Sequence, residues 1–524
     1  MKKNLYKIIA ALVVSATTLS SCDKNFQEVN TDPINILSTT PDKLLAPALV
    51  NTLSAGMNRN RNFNNELMQV TVSISDGEGT VFRYEYRNTF SDYLWNAWYI
   101  QLTNFKDIYK LAGKSGMENK SYQGISLVCQ TWVYSMLSDT YGDIPYFQSN
   151  QGTGGVLEPA FDKQQDIYLD MFKKLEEANT LLTEGTAITT SSDPVFKGDI
   201  AKWRKFCNSL YLRLLLRVSG KSAVSAQVIA KIKEIVDTNP AKYPIMTNNA
   251  ESATLKWTGL TGTDPFVNPY VNGVRVQDFR APAIGSFFID HLANWGDPRI
   301  DISAAKGYAV NGINRFGISQ GATGGFKGVP SGYVVGAGVV KEAYFYSYDQ
   351  TSSGVAIGAR SLQQSSQTGI LMNFAEVQFI LAEAALKGWI NGSAEGFYNS
   401  GIANAINYWV PNFPASTTSP TYIEYITNAD IDWNNGLSVD EKMEQIHLQK
   451  YYALFLVDMQ QWFEYRRTGH PVLPKGPGLR NGGVMPARMV YPVYVQSANP
   501  TSYQKAVAAQ GEDIISTQVW WQKP

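Results

Sequence analysis

Apolar positions recur at three- and four-residue steps over much of the chain, the spacing of helices that bury one face. Leu94, Trp98, Leu102, Phe105, Ile108 and Leu111 predict a helix over 93–111, and Ile125, Val128, Trp132 and Met136 one over 122–137. Gly113 to Gly116 turn the chain between them, so the two form a helical hairpin. Ile167, Met171, Leu175, Ala178 and Leu182 mark the next helix, with Asp162 and Gln165 suggesting its cap. Further helices are predicted over 42–53, 64–72, 202–218, 222–238, 373–384 and 394–408. Val81 to Phe90 alternates aromatic and charged residues and reads as a strand or extended loop.

The strongest local signal runs from Ser438 to Leu473. Ser438 and Glu441 form an S-x-x-E capping box, which satisfies free backbone donors at a helix start. Met443, Ile446, Lys450, Ala453 and Val457 share one face, and Asp458 to Tyr465 predicts a shorter antiparallel partner. Gly469 and Pro471 stop it, because glycine suits a left-handed cap and proline lacks a helix donor. Residues 243–369 differ: Gly, Asn, Ser, Thr and aromatics dominate, and only Ala283 to Trp295 reads as a helix. This is a region of loops and short strands on a helical scaffold, where binding residues concentrate.

Composition narrows the function. The 524 residues are 44% hydrophobic, enough for a large core. Lys plus Arg and Asp plus Glu number 45 each, which leaves no electrostatic footprint for nucleic acid. The chain has 29 Tyr, 23 Phe and 12 Trp. Aromatic faces bury the apolar C–H surface of sugar rings, so Tyr84, Tyr86, Trp95, Trp257, Trp295, Tyr344, Tyr346 and Tyr348 are candidate ligand contacts. Each has core packing as its competing role. Tyr344, Tyr346 and Tyr348 would share one face of a strand.

Lys2, Lys3 and Lys7 precede a short apolar run and Leu19-Ser20-Ser21-Cys22, the pattern of a lipoprotein signal over 1–21 with Cys22 lipidated. Residues 22–42 then read as a tether, and 43–524 as one domain. Its scaffold is mainly 43–240 and 371–470, its ligand-facing region about 241–370, and its C-terminal segment 471–524. Cys129 and Cys207 sit in apolar helical patterns as buried thiols.

Catalytic signals are weak. Gly317-Ile318-Ser319-Gln320-Gly321 matches G-x-S-x-G but lacks the strand and helix that would raise the serine, so it reads as chance. His291, His447 and His470 are far apart, and no H-E-x-x-H, C-x-x-C or EF-hand loop occurs, so no metal site is expected. No cofactor is expected, and nothing in the sequence supports a Ca²⁺ site. Asp139 and Asp143 read as local hydrogen-bonding groups in a turn. Arg466 and Arg467 read as structural, pairing with acids such as Glu464.

Several motifs resemble those of the SusD/RagB-like outer-membrane lipoproteins of Bacteroidetes. They are Asn30-Thr31-Asp32-Pro33, Tyr141-Gly142-Asp143-Ile144-Pro145-Tyr146, the run from Lys202 to Leu214, Asp297-Pro298-Arg299, Glu376 to Trp389, and Ile446 to Phe455 followed by Gln460 to Pro471 with its R-R-T-G-x-P. The resemblance implies a mainly α fold, a superhelix of about four tetratricopeptide-type helix pairs under an irregular ligand-facing region. It implies a surface-exposed, lipid-anchored outer-membrane protein that captures a glycan or oligosaccharide and hands it to a SusC-like TonB-dependent transporter, without catalysis. Peptide capture, as RagB-like members imply, and a surface glycoside hydrolase stay open as alternatives.

Overall fold

The helices form where the apolar stripes fall. The structure is a computed structural model that describes residues 39–77, 79–258, 266–352, 355–356 and 360–523. The proposed signal, Cys22 and most of the tether lie outside these residues. Helix α1 spans Pro41–Arg59, α2 Phe90–Leu111, α3 Lys120–Tyr141, α4 Gln164–Thr183, α5 Ile200–Val218 and α6 Ser225–Lys233. After the irregular region, in which α7 spans Ser286–Asn294, come α8 Phe374–Leu386, α9 Ala394–Trp409, α10 Pro420–Asn428, α11 Val439–Ala453, α12 Gln460–Thr468 and α13 Pro500–Gln510. Successive helices pack in antiparallel fashion suited to short connections: α2 on α3, α3 on α4, α4 on α5, and α8 on α9. This is a mainly helical chain with few, short strands. From Pro41 onward it forms one compact unit. No helix among the described residues is long and apolar enough to cross a membrane.

Capping fixes where the helices begin. Ser438 and Glu441 make both bonds of the capping box at α11, and Asn373 accepts from the Glu376 backbone at α8. Asp199 accepts likewise from the Lys202 backbone at α5. Gly469 takes the left-handed conformation that ends α12, at φ 78°. Close helix approach needs small residues: a Cβ on Gly401 of α9 would lie 2.7 Å from the Phe379 ring of α8.

The strands are short and antiparallel. β1 (Thr71–Val72) pairs with β3 (Ala283–Ile284), β2 (Ala253–Leu255) with β6 (Gly369–Met372), and β4 (Thr351–Ser352) with β5 (Val355–Ala356). β2 and β6 thus clip the start and end of the irregular region together next to α8. The link from that region to the scaffold is aromatic. Phe455, two residues past α11, has ring centroids 5.2 Å from Phe288, 5.1 Å from Phe316, and 6.1 Å from both Phe345 and Trp409.

Five expectations are corrected. The helix predicted over 64–72 stops at Leu67, and Thr71–Val72 pairs instead as β1. Val81 to Phe90 is not extended: Val81–Arg83 is a 3₁₀ turn and Tyr84 is left-handed at φ 63°. Val81 to Tyr84 are all buried, because Arg83 donates to the Tyr333 and Ser75 carbonyls and draws the segment inward. Helix α3 continues through Asp139 to Tyr141, with the turn at Gly142, φ 88°. Asp162 does not cap α4; its carboxylate accepts from the Tyr146 and Phe147 backbones. Only the second part of 283–295 is helical, since Ala283–Ile284 pairs as β3. Helices α10 and α13 are not among the predicted helices, although Tyr422, Tyr425 and Ile426 of α10 step by three and one and are buried together.

Candidate functional site

Two adjoining clefts open where the irregular region meets the end of α9. The larger, of about 500 Å³, is lined chiefly by Tyr308, Arg315, Arg360, the run Gln364 to Gln367, and Trp409 to Asn412. The smaller, of about 370 Å³, shares Tyr308 and Asn412 with it and adds Trp295, Phe413, Glu424 and Tyr425. Pro411 follows the last residues of α9, so the chain leaves the helix at this point. Asn407 donates to the Phe413 carbonyl 2.8 Å away and holds the departing loop.

Arg315 is the central side chain of the larger cleft. Its Nε donates to the Trp409 carbonyl at 2.9 Å, and its Nη2 to Ser365 Oγ at 2.9 Å and Gln367 Oε1 at 2.6 Å. The guanidinium lies 5.2 Å from the Trp409 ring centroid, a cation–π contact. Burial, with Arg360 nearby, pushes its pKa down to about 10. Trp409 is itself backed by Phe316 and Phe455, so the turn that follows α11 supports the cleft. Tyr408 donates to the Gln367 carbonyl at 2.8 Å and fixes the opposite rim.

The smaller cleft rests on the Asp297-Pro298-Arg299 motif. The buried Asp297 and Arg299 pair at 2.7 Å, and Tyr425 donates to Asp297 at 2.8 Å. That ties α10 to the turn carrying Gly296 and Pro298, both at the cleft wall.

The candidate aromatics scatter. Trp295 lines the smaller cleft, with its ring 5.2 Å from Tyr452. Trp257 is buried beside the larger cleft, and its backbone donates to the Ser366 carbonyl. Tyr344, Tyr346 and Tyr348 are half-buried on one side of an extended segment, while Ala343, Phe345 and Ser347 face the core. Tyr344 and Tyr346 meet edge to face at 5.8 Å. Tyr84 and Tyr86 are in the core, and Tyr86 donates to the Arg488 carbonyl, so neither ring offers a free face. Trp95 is enclosed by Tyr99, Tyr141, Phe161 and Tyr491, under a separate apolar cleft of about 240 Å³. Arg315, Tyr308, Trp409 and Arg360 are not singled out by the sequence. Trp409 reads as one more apolar residue at the end of α9, and Tyr308, Arg315 and Arg360 sit in non-periodic loops, so nothing local marks them.

Other chemistry is accounted for. Ser319 is buried, and its hydroxyl accepts from the Tyr344 backbone at 2.9 Å. All three histidines are engaged elsewhere, at Phe287, Glu383 and Glu444. Cys129 and Cys207 are buried free thiols. Asp139 accepts from Tyr168 and Trp521, which are distant in sequence rather than local.

Glu383, His447 and Glu464 converge closely enough to resemble a metal-ligand set, but cations already occupy the space between them. Arg467 pairs with Glu383 at 2.6 Å and with Glu464 at 2.8 Å. Lys450 lies 2.6 Å from Glu464, Lys387 2.6 Å from Glu383, and Arg217 3.4 Å from Glu464. Burial, the largest single influence, would raise both carboxyls; Arg467 and His447 around Glu383, and Arg467, Lys450 and Arg217 around Glu464, together outweigh it and hold them well below their ordinary value. Arg466 stacks 3.8 Å above Trp462 and donates to the Asp139 carbonyl. The double arginine therefore ties helices together, and a divalent ion would meet the charges of Arg467, Lys450 and Lys387 there.

Residues 33–492 match the model of a SusD-like family described as starch-binding and associating with the outer membrane. Similar solved structures include a SusD homologue from Bacteroides fragilis, at 21% identity and TM-score 0.73, covering 93% of this chain and 100% of that one. A chitin-binding SusD homologue from Flavobacterium johnsoniae matches at 20% identity and TM-score 0.72, covering 92% and 98%. Another chitin-binding protein matches at 23% identity and TM-score 0.69, covering 93% and 100%. A search of curated proteins returns no match.

Proposed function

Because the chain belongs to the SusD-like family associated with the outer membrane, we propose that it is a surface nutrient-binding lipoprotein that captures an oligosaccharide in the paired clefts beside Trp409. The observation that carries this reading is the clefts themselves. Together they join aromatic walls to a fan of amide and hydroxyl groups, the mixture that sugar rings need. Lipidation at Cys22 would tether the protein to the membrane. A TonB-dependent transporter would take the ligand onward.

No bond is broken in this role. Glycoside hydrolysis uses two carboxyl groups across a cleft. Among the described lining residues only Glu424 is an acid, and it belongs to the smaller cleft. The test is calorimetry of the full chain, kept in solution with mild detergent, against a glycan panel and a peptide library, with products followed by chromatography. Binding without cleavage supports the proposal. Cleavage would make the protein an enzyme, and binding of peptides alone would replace the glycan.

A further inference from the structure

The larger cleft is electrostatically one-sided in a chain whose charges balance. Its described lining contains two cations, Arg315 and Arg360, and no carboxylate. Arg466 also lacks an acid, but the Trp462 ring and the Ala487 and Asp139 carbonyls enclose it; Arg213 has Glu376, Arg299 has Asp297, Arg467 has Glu383 and Glu464, and Arg488 has Asp513. Arg315 instead meets only a carbonyl, a hydroxyl and an amide oxygen, so its charge is hydrogen-bonded but not neutralised. Its Nη1 has no protein acceptor among the described residues. Arg360 makes no side-chain hydrogen bond or ion pair among them. Arg360 is partly buried, lines the same cleft, and its charge adds to burial in lowering the Arg315 pKa.

Holding two like charges in one partly desolvated cleft is unfavourable without a counter-charge. A guanidinium with an open edge matches the oxygens of a carboxylate or sulfate, and a second one alongside adds attraction. We propose that the larger cleft binds an anionic substituent, a carboxylate or sulfate, on the captured glycan. The neutral part of the chain then extends past Tyr308 and Asn412 into the smaller cleft. That cleft holds Lys306 with Glu424, so it has no net preference for charge. The inference rests on the glycan-binding reading and narrows it to acidic glycans.

The experiment compares matched ligands by calorimetry on the full chain. Oligogalacturonides are set against their methyl esters, in which the carboxylate charge is masked. Chondroitin 4-sulfate oligosaccharides are set against desulfated ones, and chitin oligosaccharides serve as a neutral arm. The expected result is at least tenfold tighter binding of an acidic member than of its neutral or less charged partner, weakened by salt. Arg360→Gln should remove that preference, since Arg360 supports no other contact among the described residues. Arg315→Lys keeps the charge and should retain part of it. Lys110→Gln, an equal change of charge on exposed α2 outside the cleft, should leave it intact.

Preference for the carboxylate or for the sulfate pair identifies the anion. Equal binding of charged and neutral partners, or a preference untouched by Arg360→Gln, overturns the anionic site and leaves glycan capture standing. Binding confined to the neutral chitin arm does the same. Peptide binding with no glycan binding overturns both.

Discussion

Glu66 is a buried carboxyl with one hydrogen bond, accepted from the Phe82 backbone at 3.2 Å. Burial raises its pKa to about 7, against a weaker pull from that bond and from Arg61. A carboxyl raised in the folded state contributes stability below its unfolded value, about 4.5, and that contribution is lost as pH rises through about 7. Glu66→Gln keeps an acceptor for Phe82 without the charge. Denaturant melts should show the variant gaining on the parent between pH 5 and 8, by up to ~3 kcal/mol from linkage. A parallel curve for the two proteins would show that Glu66 does not titrate there. Arg467 has the opposite logic. Arg467→Met leaves Glu383 and Glu464 buried without their shared partner and should cost about 3–5 kcal/mol, read by the same melts.

At the scale of elements, α11 carries one end of that ionic cluster and leads into Phe455. Ser438→Ala removes the capping box and should cost ~1 kcal/mol, visible as faster hydrogen exchange over the first turn of α11. Phe455→Ala opens a void beneath Phe288, Phe316, Phe345 and Trp409 and should cost about 3–5 kcal/mol. Because Trp409 forms the cleft floor, this variant should lose ligand affinity as well as stability, whereas Ser438→Ala should lose stability alone. The α8–α9 pair has a tighter tolerance. Gly401→Ala would drive a methyl into the buried Phe379 ring, and thermal melts should report about 1–3 kcal/mol of destabilisation.

At the scale of the whole molecule, the scaffold and the irregular region share one core, so a ligand in the clefts should stabilise the unit that begins at Pro41. A ligand at about one hundred times its Kd should add ~2.7 kcal/mol, a readable rise in Tm. Arg360→Gln should cut the rise for an acidic ligand to about half, since a tenfold loss of affinity leaves ~1.4 kcal/mol at that concentration, while leaving the unliganded Tm near that of the parent. A thermal screen of this kind finds the ligand by its charge, whichever sugar carries it.

Local order is legible in the sequence because its causes are local. The stripes of α2, α3, α4 and α5, the Ser438 box and the Gly469 stop each require only residues a turn or two apart, and each stands in the structure. Broad motif order also places the chain in its family. The double arginine reads as structural from its own neighbours, and its partner Glu464 lies three residues from Arg467. Where long-range bonds govern, the local signal misleads. Arg83 pulls Tyr84 into a left-handed turn through Tyr333, 250 positions along the chain. Tyr86 and Trp95 look like platforms because sequence shows an aromatic ring but not which atoms cover its faces.

The sequence by itself determined most helices of the scaffold, the Ser438 box, the Gly469 stop and the family, since periodicity and short spacing act within an element. Tertiary structure alone decided the clefts. Arg315, Arg360 and Trp409 come from three separate segments, joined only when β2 pairs with β6 and the Phe455 aromatic hub seats the irregular region. Whether an arginine meets an acid or an open cleft depends on which segments fold beside it, and no spacing along the chain encodes that.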